Sequence, residues 1–379
     1  MLSTDQVGPL ELLVIQPTPF CNLDCTYCYL PDRLDKRKMT LETLEKVLNW
    51  TFSSGLIQQP FTLLWHAGEP MVLPPTFYEQ AALLLERCNT SGFEVTQSFQ
   101  TNATLVNDAW CDLIRRRNIQ VGVSVDGPAF LNDRNRLTRQ GGGTLDRILR
   151  GMQKLREHDI FFDVISVLTS RSLDYPDELF DFYIEHGITN VAFNVEEIEG
   201  PHVKSSLAGQ GMEARFRRFY SRFMDLALAS DPPLRVREFD ISRNSIGHRE
   251  QSSMRTQECR PFGILNVDCM GNFSTYSPEL LGLSSPRLGS FALGNVATDT
   301  LESILSMPRF VTMDDEIRRG VDLCQESCQY FPFCGGGPPG NKYFENGDFA
   351  TTETLSCRLH KKATFDVALD KLEQIKAVM

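Results

Sequence analysis

Cys21, Cys25 and Cys28 fall within eight residues at spacing C-x3-C-x2-C, directly after an apolar run, Leu10 to Ile15, that reads as a strand. A loop this short can turn three thiolates toward one region, but it supplies no fourth ligand. Cysteine thiolates at tight spacings hold iron–sulfur clusters, and three protein ligands leave one iron of a four-iron cluster open to a small molecule. Zinc is the rival, since C-x2-C occurs in zinc sites, yet a structural zinc wants four protein ligands. The nearest histidine, His66, lies well outside the loop. A second group, Cys324-x3-Cys328-x5-Cys334 with Cys357, brings four thiols at spacings that can close around one metal site. Ligand type alone admits zinc or iron–sulfur there.

Smaller polar motifs accompany the first loop. Gly68-Glu69-Pro70 ends a second strand and offers a carboxylate that can accept hydrogen bonds from an ammonium group. Gln100-Thr101-Asn102 and Ser124-Val125-Asp126-Gly127-Pro128 end the third and fourth strands with side chains suited to ribose hydroxyls and carboxylates. Arg136 follows, with Arg134 a close alternative; a guanidinium forks well onto a carboxylate. His66 reads as a structural residue near a strand end.

Positioning these motifs falls to a regular alternation. Phe61–Trp65, Phe93–Phe99, Ile119–Val125, Ile160–Leu168 and Val191–Val195 continue the strands begun at Leu10. The intervening helical stretches run from Thr40 to about Phe52, from a capping-box pattern at Thr76-Phe77-Tyr78-Glu79 to Arg87, and over 107–117, 145–158, 176–186 and 213–229. Six such units predict an α/β fold with a parallel sheet and crossover helices, and the pattern alone leaves a partial barrel and an open sheet both open. The rhythm stops near Asp231-Pro232-Pro233. The division expected is therefore residues 1–235, a βα domain, and 236–379, a turn-rich, Cys-rich domain. Its last segment has apolar residues Phe365, Ala368, Leu369, Leu372 and Ile375 at the spacing of one helix face.

The totals exclude several classes. A net charge of −11 argues against a nonspecific nucleic-acid binder, whose faces are basic. No apolar run reaches the length of a membrane span, and Met1 to Leu10 lacks the charged and apolar parts of a signal peptide. Eleven cysteines in such a chain fit a reducing cytoplasm and metal chemistry rather than disulfides.

The first loop, with Tyr27 before its third cysteine, resembles the cluster loop of the radical S-adenosylmethionine (SAM) superfamily. That resemblance implies a partial six-unit βα barrel and a [4Fe–4S] cluster held by Cys21, Cys25 and Cys28. It also implies SAM on the open iron, cleaved to a 5'-deoxyadenosyl radical. Gly68, Glu69 and Pro70 match the element that contacts the SAM amino group. Ser124 and Arg136 match SAM-binding positions, and Leu168 matches a residue packing on the adenine. The second cysteine group resembles the SPASM extension of peptide-modifying members, which usually carries seven cysteines and two auxiliary clusters. Cys324, Cys328, Cys334 and Cys357 match the ligands of one of them. The other loses its ligands, because Pro338 and Tyr276 stand at two cysteine positions. One auxiliary [4Fe–4S] cluster is expected, with Cys259 and Cys269 free and with Cys88 and Cys111 as core residues.

The stretches 272–282 and 334–347 look like the maturases of glycine-rich-repeat precursor peptides, grouped with cyclophane-forming enzymes. That implies a bond between an aromatic ring carbon and the β-carbon of a nearby residue. Glu279 is the residue expected to take the proton. The partners implied are a precursor peptide and an electron donor such as a flavodoxin or ferredoxin. The competing readings are a sulfatase-maturing enzyme making formylglycine, in which an Asp would stand at Ser277, and a non-catalytic zinc scaffold.

Overall fold

The computed structural model describes residues 7–247 and 256–378. The first part alternates strand and helix: β1 (Leu12–Ile15), α1 (Leu41–Ser53), β2 (Phe61–Trp65), α2 (Pro75–Cys88), β3 (Val95–Thr101), α3 (Asp108–Arg117) and β4 (Gln120–Ser124). It continues through α4 (Ala129–Asn135), α5 (Leu145–Glu157), β5 (Asp163–Leu168), α6 (Pro176–Glu185), β6 (Asn190–Val195), α7 (Met212–Ala229), β7 (Arg235–Val236) and α8 (Arg237–Gly247). Strands β1 to β7 are parallel neighbours in chain order. Parallel neighbours need long crossovers, and these helices supply them.

Each strand divides its residues between two environments. In β5, Val164, Ser166 and Leu168 are buried, whereas Ile165 and Val167 are half-buried and line a cavity. The same period of two puts Phe61, Leu63 and Trp65 of β2 in the core while Leu64 reaches that cavity. Leu64, Gln100, Ser124, Ile165 and Asn194, from five successive strands, all border one space, so the sheet is curved around it. On the outer face Trp65, Tyr78, Phe99 and Trp110 pack with centroids 4.8 to 5.7 Å apart, edge to face except for the tilted Tyr78–Trp110 pair, which locks α2 and α3 onto β2 and β3.

The later segments complete the sheet on the other side of β1. They comprise β8 (Ile264–Val267), β9 (Asn272–Thr275), β10 (Ser284–Ser285), β11 (Gly289–Ser290), β12 (Gly294–Asn295), α9 (Leu301–Leu305), α10 (Pro308–Ser327), α11 (Phe331–Cys334) and α12 (Pro339–Asn346). A π-helical stretch, Cys357–Ala363, then leads into α13 (Thr364–Val378). β8 pairs parallel with β1 and antiparallel with β9, and β9 pairs with β12. The division at residue 235 thus follows cysteine content and crosses one continuous ten-stranded sheet. Trp50 of α1 fastens the two sides. Its indole donates to the Asp299 carbonyl at 2.8 Å and its ring lies 4.8 Å from Phe273.

Five local expectations are corrected. Helix α2 begins at Pro75 with no side-chain cap, so Thr76 opens no capping box; proline at the first helical position needs no N–H partner. Strand β3 starts at Val95 and runs on through Thr101, and β5 starts only at Asp163. The segment after residue 255 is less turn-rich than its glycines suggest, because α10 spans twenty residues. In α13, Ala368 and Phe365 face the core but Leu369 is exposed and Val367 takes its place. The side chain of Ile375 lies outside the described residues. Among the described residues no helix is long and apolar enough to cross a membrane.

Candidate active site

The cysteine loop after β1 is fixed by the segment that follows α4. Leu23 bridges Thr138, Asp24 N–H donates to the Leu137 carbonyl at 2.8 Å, and Thr26 N–H donates to the Asn135 carbonyl at 2.9 Å. Arg139 clamps the loop, donating from Nε and Nη2 to the Cys21 carbonyl and from Nη1 to Asp24. Arg33 donates to the Cys25 carbonyl at 3.0 Å. With its carbonyls and amides held this way, the loop turns Cys21, Cys25 and Cys28 onto the lining of a cavity of about 330 Å³. That size suits a small-molecule ligand.

Glu69 is 1% exposed, and its carboxylate accepts from Met71 N–H at 3.0 Å, Thr101 Oγ1 at 2.7 Å and Asn102 N–H at 2.8 Å. Burial nevertheless raises its pKa. Three donors from the protein meet the carboxylate expected to contact an ammonium, and they tie the ends of β2 and β3 together. Gly68 lies against the cysteine loop with φ of +64°, and a Cβ there would stand 2.4 Å from the Thr18 carbonyl oxygen. Gly68 and Glu69 border the cavity, while Pro70 is buried behind it as the start of a short 3₁₀ turn.

Ser124 and Arg136 both reach the cavity; Arg134 does not border it. Ser124 accepts from Gln100 Nε2 at 2.8 Å. Arg136 is 6% exposed and pairs with Asp126 at 3.1 Å, and its Nε finds no protein partner. Asp126 is a residue whose role the sequence did not reveal. It also accepts from the Tyr27 hydroxyl and from Val167 N–H, so one carboxylate joins the cysteine loop, β5 and Arg136. Leu168 is corrected. It is fully buried in the core, and Ile165 and Val167 line the cavity, because alternate residues of a strand face opposite ways. His66 borders the cavity, contacts the Tyr29 hydroxyl at 3.3 Å, and is pushed down to about 4 by burial, so it stays neutral near pH 7.

Glu196, Glu197, Glu199 and Glu279 line the same cavity. Ser277 donates to Glu279, Ser356 to Glu197 at 2.6 Å, and Asn341 to Glu199 at 3.2 Å. Burial first and neighbouring carboxylates second hold Glu199 well above the usual carboxylate range; burial raises Glu197 and Glu279 too. Carboxylates raised in this way are better proton acceptors than free ones. Glu197 and Glu199 carry no sequence motif, and the fold alone reveals them.

Cys324, Cys328, Cys334 and Cys357 line a second cavity of about 150 Å³ with Gly336, Lys342 and Lys362. Among the described residues no three His, Cys, Asp or Glu side chains converge on a point where a single ion could sit. Thiolates so grouped can serve zinc, where all meet one ion, or an iron–sulfur cluster, which distributes them over separate irons. Cys259 donates to the Gly337 carbonyl at 2.9 Å, whereas Cys269 sits in the β8–β9 turn near Asp268 and Arg37. Tyr276 is fully buried, and its hydroxyl donates to Asp314 at 2.7 Å. Cys111 is a buried core residue and Cys88 a half-buried one packed against the core.

A curved parallel sheet with a three-cysteine loop after its first strand, opening on a ligand-sized cavity, defines a cluster-dependent enzyme of the βα type. Residues 15–183 match the Radical SAM superfamily. That match implies SAM and a [4Fe–4S] cluster, which the first cavity and its three thiols fit. An uncharacterised protein of Synechocystis, sll1766, is 44% identical over 371 residues, covering 97% of this chain and 93% of its own. The serine-type anaerobic sulfatase-maturating enzyme of Bacteroides thetaiotaomicron is 26% identical over 90% of this chain and 85% of its own. Native anSMEcpe, solved with bound AdoMet and a Cp18Cys peptide, superposes with a TM-score of 0.77 at 19% identity, over 97% of this chain and 99% of that one.

Proposed function

We propose that this chain matures a ribosomally made, glycine-rich-repeat precursor peptide by joining an aromatic ring carbon to the β-carbon of a nearby residue. The observation that carries the reading is Glu279, which accepts from Ser277 and borders the same cavity as Cys28. Ser277 stands where the sulfatase-maturing pattern has an aspartate, and Glu279 brings a carboxylate to the cavity from two residues further on. Cys21, Cys25 and Cys28 would hold the cluster, with Ser124 and Arg136 beside it for SAM, and Cys324, Cys328, Cys334 and Cys357 would hold the auxiliary one. When bound, these groups supply hydrogen-atom abstraction at one cavity and acceptance of one electron at the other. Forming the carbon–carbon bond removes two hydrogens from the peptide, one as an atom and one as a proton with its electron. Glu279 takes the proton, aided by a raised pKa. Asp126 and Arg139 keep the cysteine loop aimed, and neutral His66 adds no charge.

Formylglycine formation is the second reading, favoured by the similarity to a sulfatase-maturating enzyme and to a peptide-bound structure of that group. Co-expression with the small open reading frame beside the gene, followed by tandem mass spectrometry, separates them. A crosslink removes two hydrogens and suppresses backbone fragments between the joined residues. Oxidation of serine to formylglycine also removes two hydrogens, but it leaves an aldehyde that hydrazine captures. Capture of an aldehyde, with fragments intact, would overturn the crosslinking reading.

A further inference from the structure

The ammonium of Lys342 is buried, and among the described residues no carboxylate pairs with it. It is 3% exposed, on α12, and its ammonium meets the Gly320 carbonyl at 2.8 Å and the Cys324 sulfur at 3.4 Å. Gly320 makes room for it: a Cβ there would stand 2.2 Å from the Phe349 carbonyl oxygen and 3.2 Å from Lys342 Nζ. Lys362, the other lysine on the second cavity, is already paired with Glu353. An ammonium taken out of water is costly unless an anion compensates it. Here the group in contact that can become anionic is Cys324 and whatever the four thiols hold.

We propose that Lys342 is the charge-compensating residue of the second cavity. It donates to the Cys324 sulfur of a bound iron–sulfur cluster and holds that cluster's reduction potential up. The inference rests on the reading that this cavity takes such a cluster. Reduction adds one electron and one negative charge with no bond made or broken, so a fixed ammonium against a ligand sulfur favours the reduced form. Net charge and hydrogen bonds to sulfur are the levers that set such potentials. Asn341, the preceding residue of α12, donates to Glu199 at the first cavity. One short helix therefore touches both sites.

The test uses the full chain with Cys21, Cys25 and Cys28 changed to alanine, so that iron reports on the second cavity alone. With Lys342 present, about four iron per chain are expected; no iron, or zinc in its place, removes the premise and the proposal with it, independently of any Lys342 variant. Potentiometric titration followed by electron paramagnetic resonance then compares Lys342 with Lys342→Gln, which keeps an N–H donor without the charge, and with Lys342→Arg. At the parent's midpoint the Gln protein is expected to shift the reduced-to-oxidised ratio on the order of tenfold toward oxidised, with Arg restoring it. A Gln protein without iron beside an Arg protein with iron supports the same role. A Gln protein titrating at the parent's midpoint, or Gln and Arg proteins both without iron, overturns it.

Discussion

Asp126 serves three partners with two oxygens: Arg136, the Tyr27 hydroxyl and Val167 N–H. Removing it strands a buried guanidinium, and breaking a buried pair from one side costs about 3–5 kcal/mol. Asp126→Ala should lower the unfolding free energy by that amount, read as a lower urea midpoint, and release Tyr27, and with it the cysteine loop, from the end of β4. Equilibrium unfolding, with SAM binding by calorimetry, checks both effects. His66 supplies a pH signature. Its folded pKa of about 4 lies below the unfolded value of about 6.5, so between these values the unfolded chain binds a proton that the folded chain refuses. Stability contributed by neutral His66 is full above pH 6.5 and is lost as pH falls toward 4. Unfolding measured across that window should show a shallower acid loss in His66→Gln; an unchanged slope would reject the assignment.

At the scale of elements, the turn after β2 and the loop after β1 are pressed together at Gly68. Any side chain there meets the Thr18 and Phe20 carbonyl oxygens, both backbone, and sits at positive φ. Gly68→Ala should cost at least about 2 kcal/mol and reduce iron loading at the first site, because the loop that carries the thiols must move. Denaturant midpoints and iron content measure the two consequences separately. Glu69, one residue on, binds β3 through Thr101 and Asn102, so this turn serves as a joint between strands.

Across the whole molecule, two cysteine-lined cavities joined by α12 divide the work. Anaerobically purified protein should contain about eight iron per chain, and about twelve would restore the further auxiliary cluster. Cys28→Ala should abolish release of 5'-deoxyadenosine. Cys334→Ala should retain part of it while peptide modification stops, as read by chromatography and mass spectrometry. Equal loss of both activities in the two variants would argue that the cavities do not have separate tasks.

How much of this was legible beforehand follows from the range of each interaction. The cysteine spacings, the strand–helix alternation and the Gly68-Glu69-Pro70 turn are local patterns, set by neighbours along the chain, and the sequence by itself determined them. It also marked the missing cysteines at Tyr276 and Pro338. Which face a strand residue presents depends on register and curvature, and the tertiary structure alone moved Leu168 into the core and brought Ile165 and Val167 to the cavity. Asp126 and Arg139 gain their roles from partners about forty to one hundred and eighteen residues away. Burial and unmatched charge are properties of a packed neighbourhood. Only the fold could therefore decide that Glu69 meets protein donors, that five glutamates line one cavity, and that Lys342 waits beside Cys324.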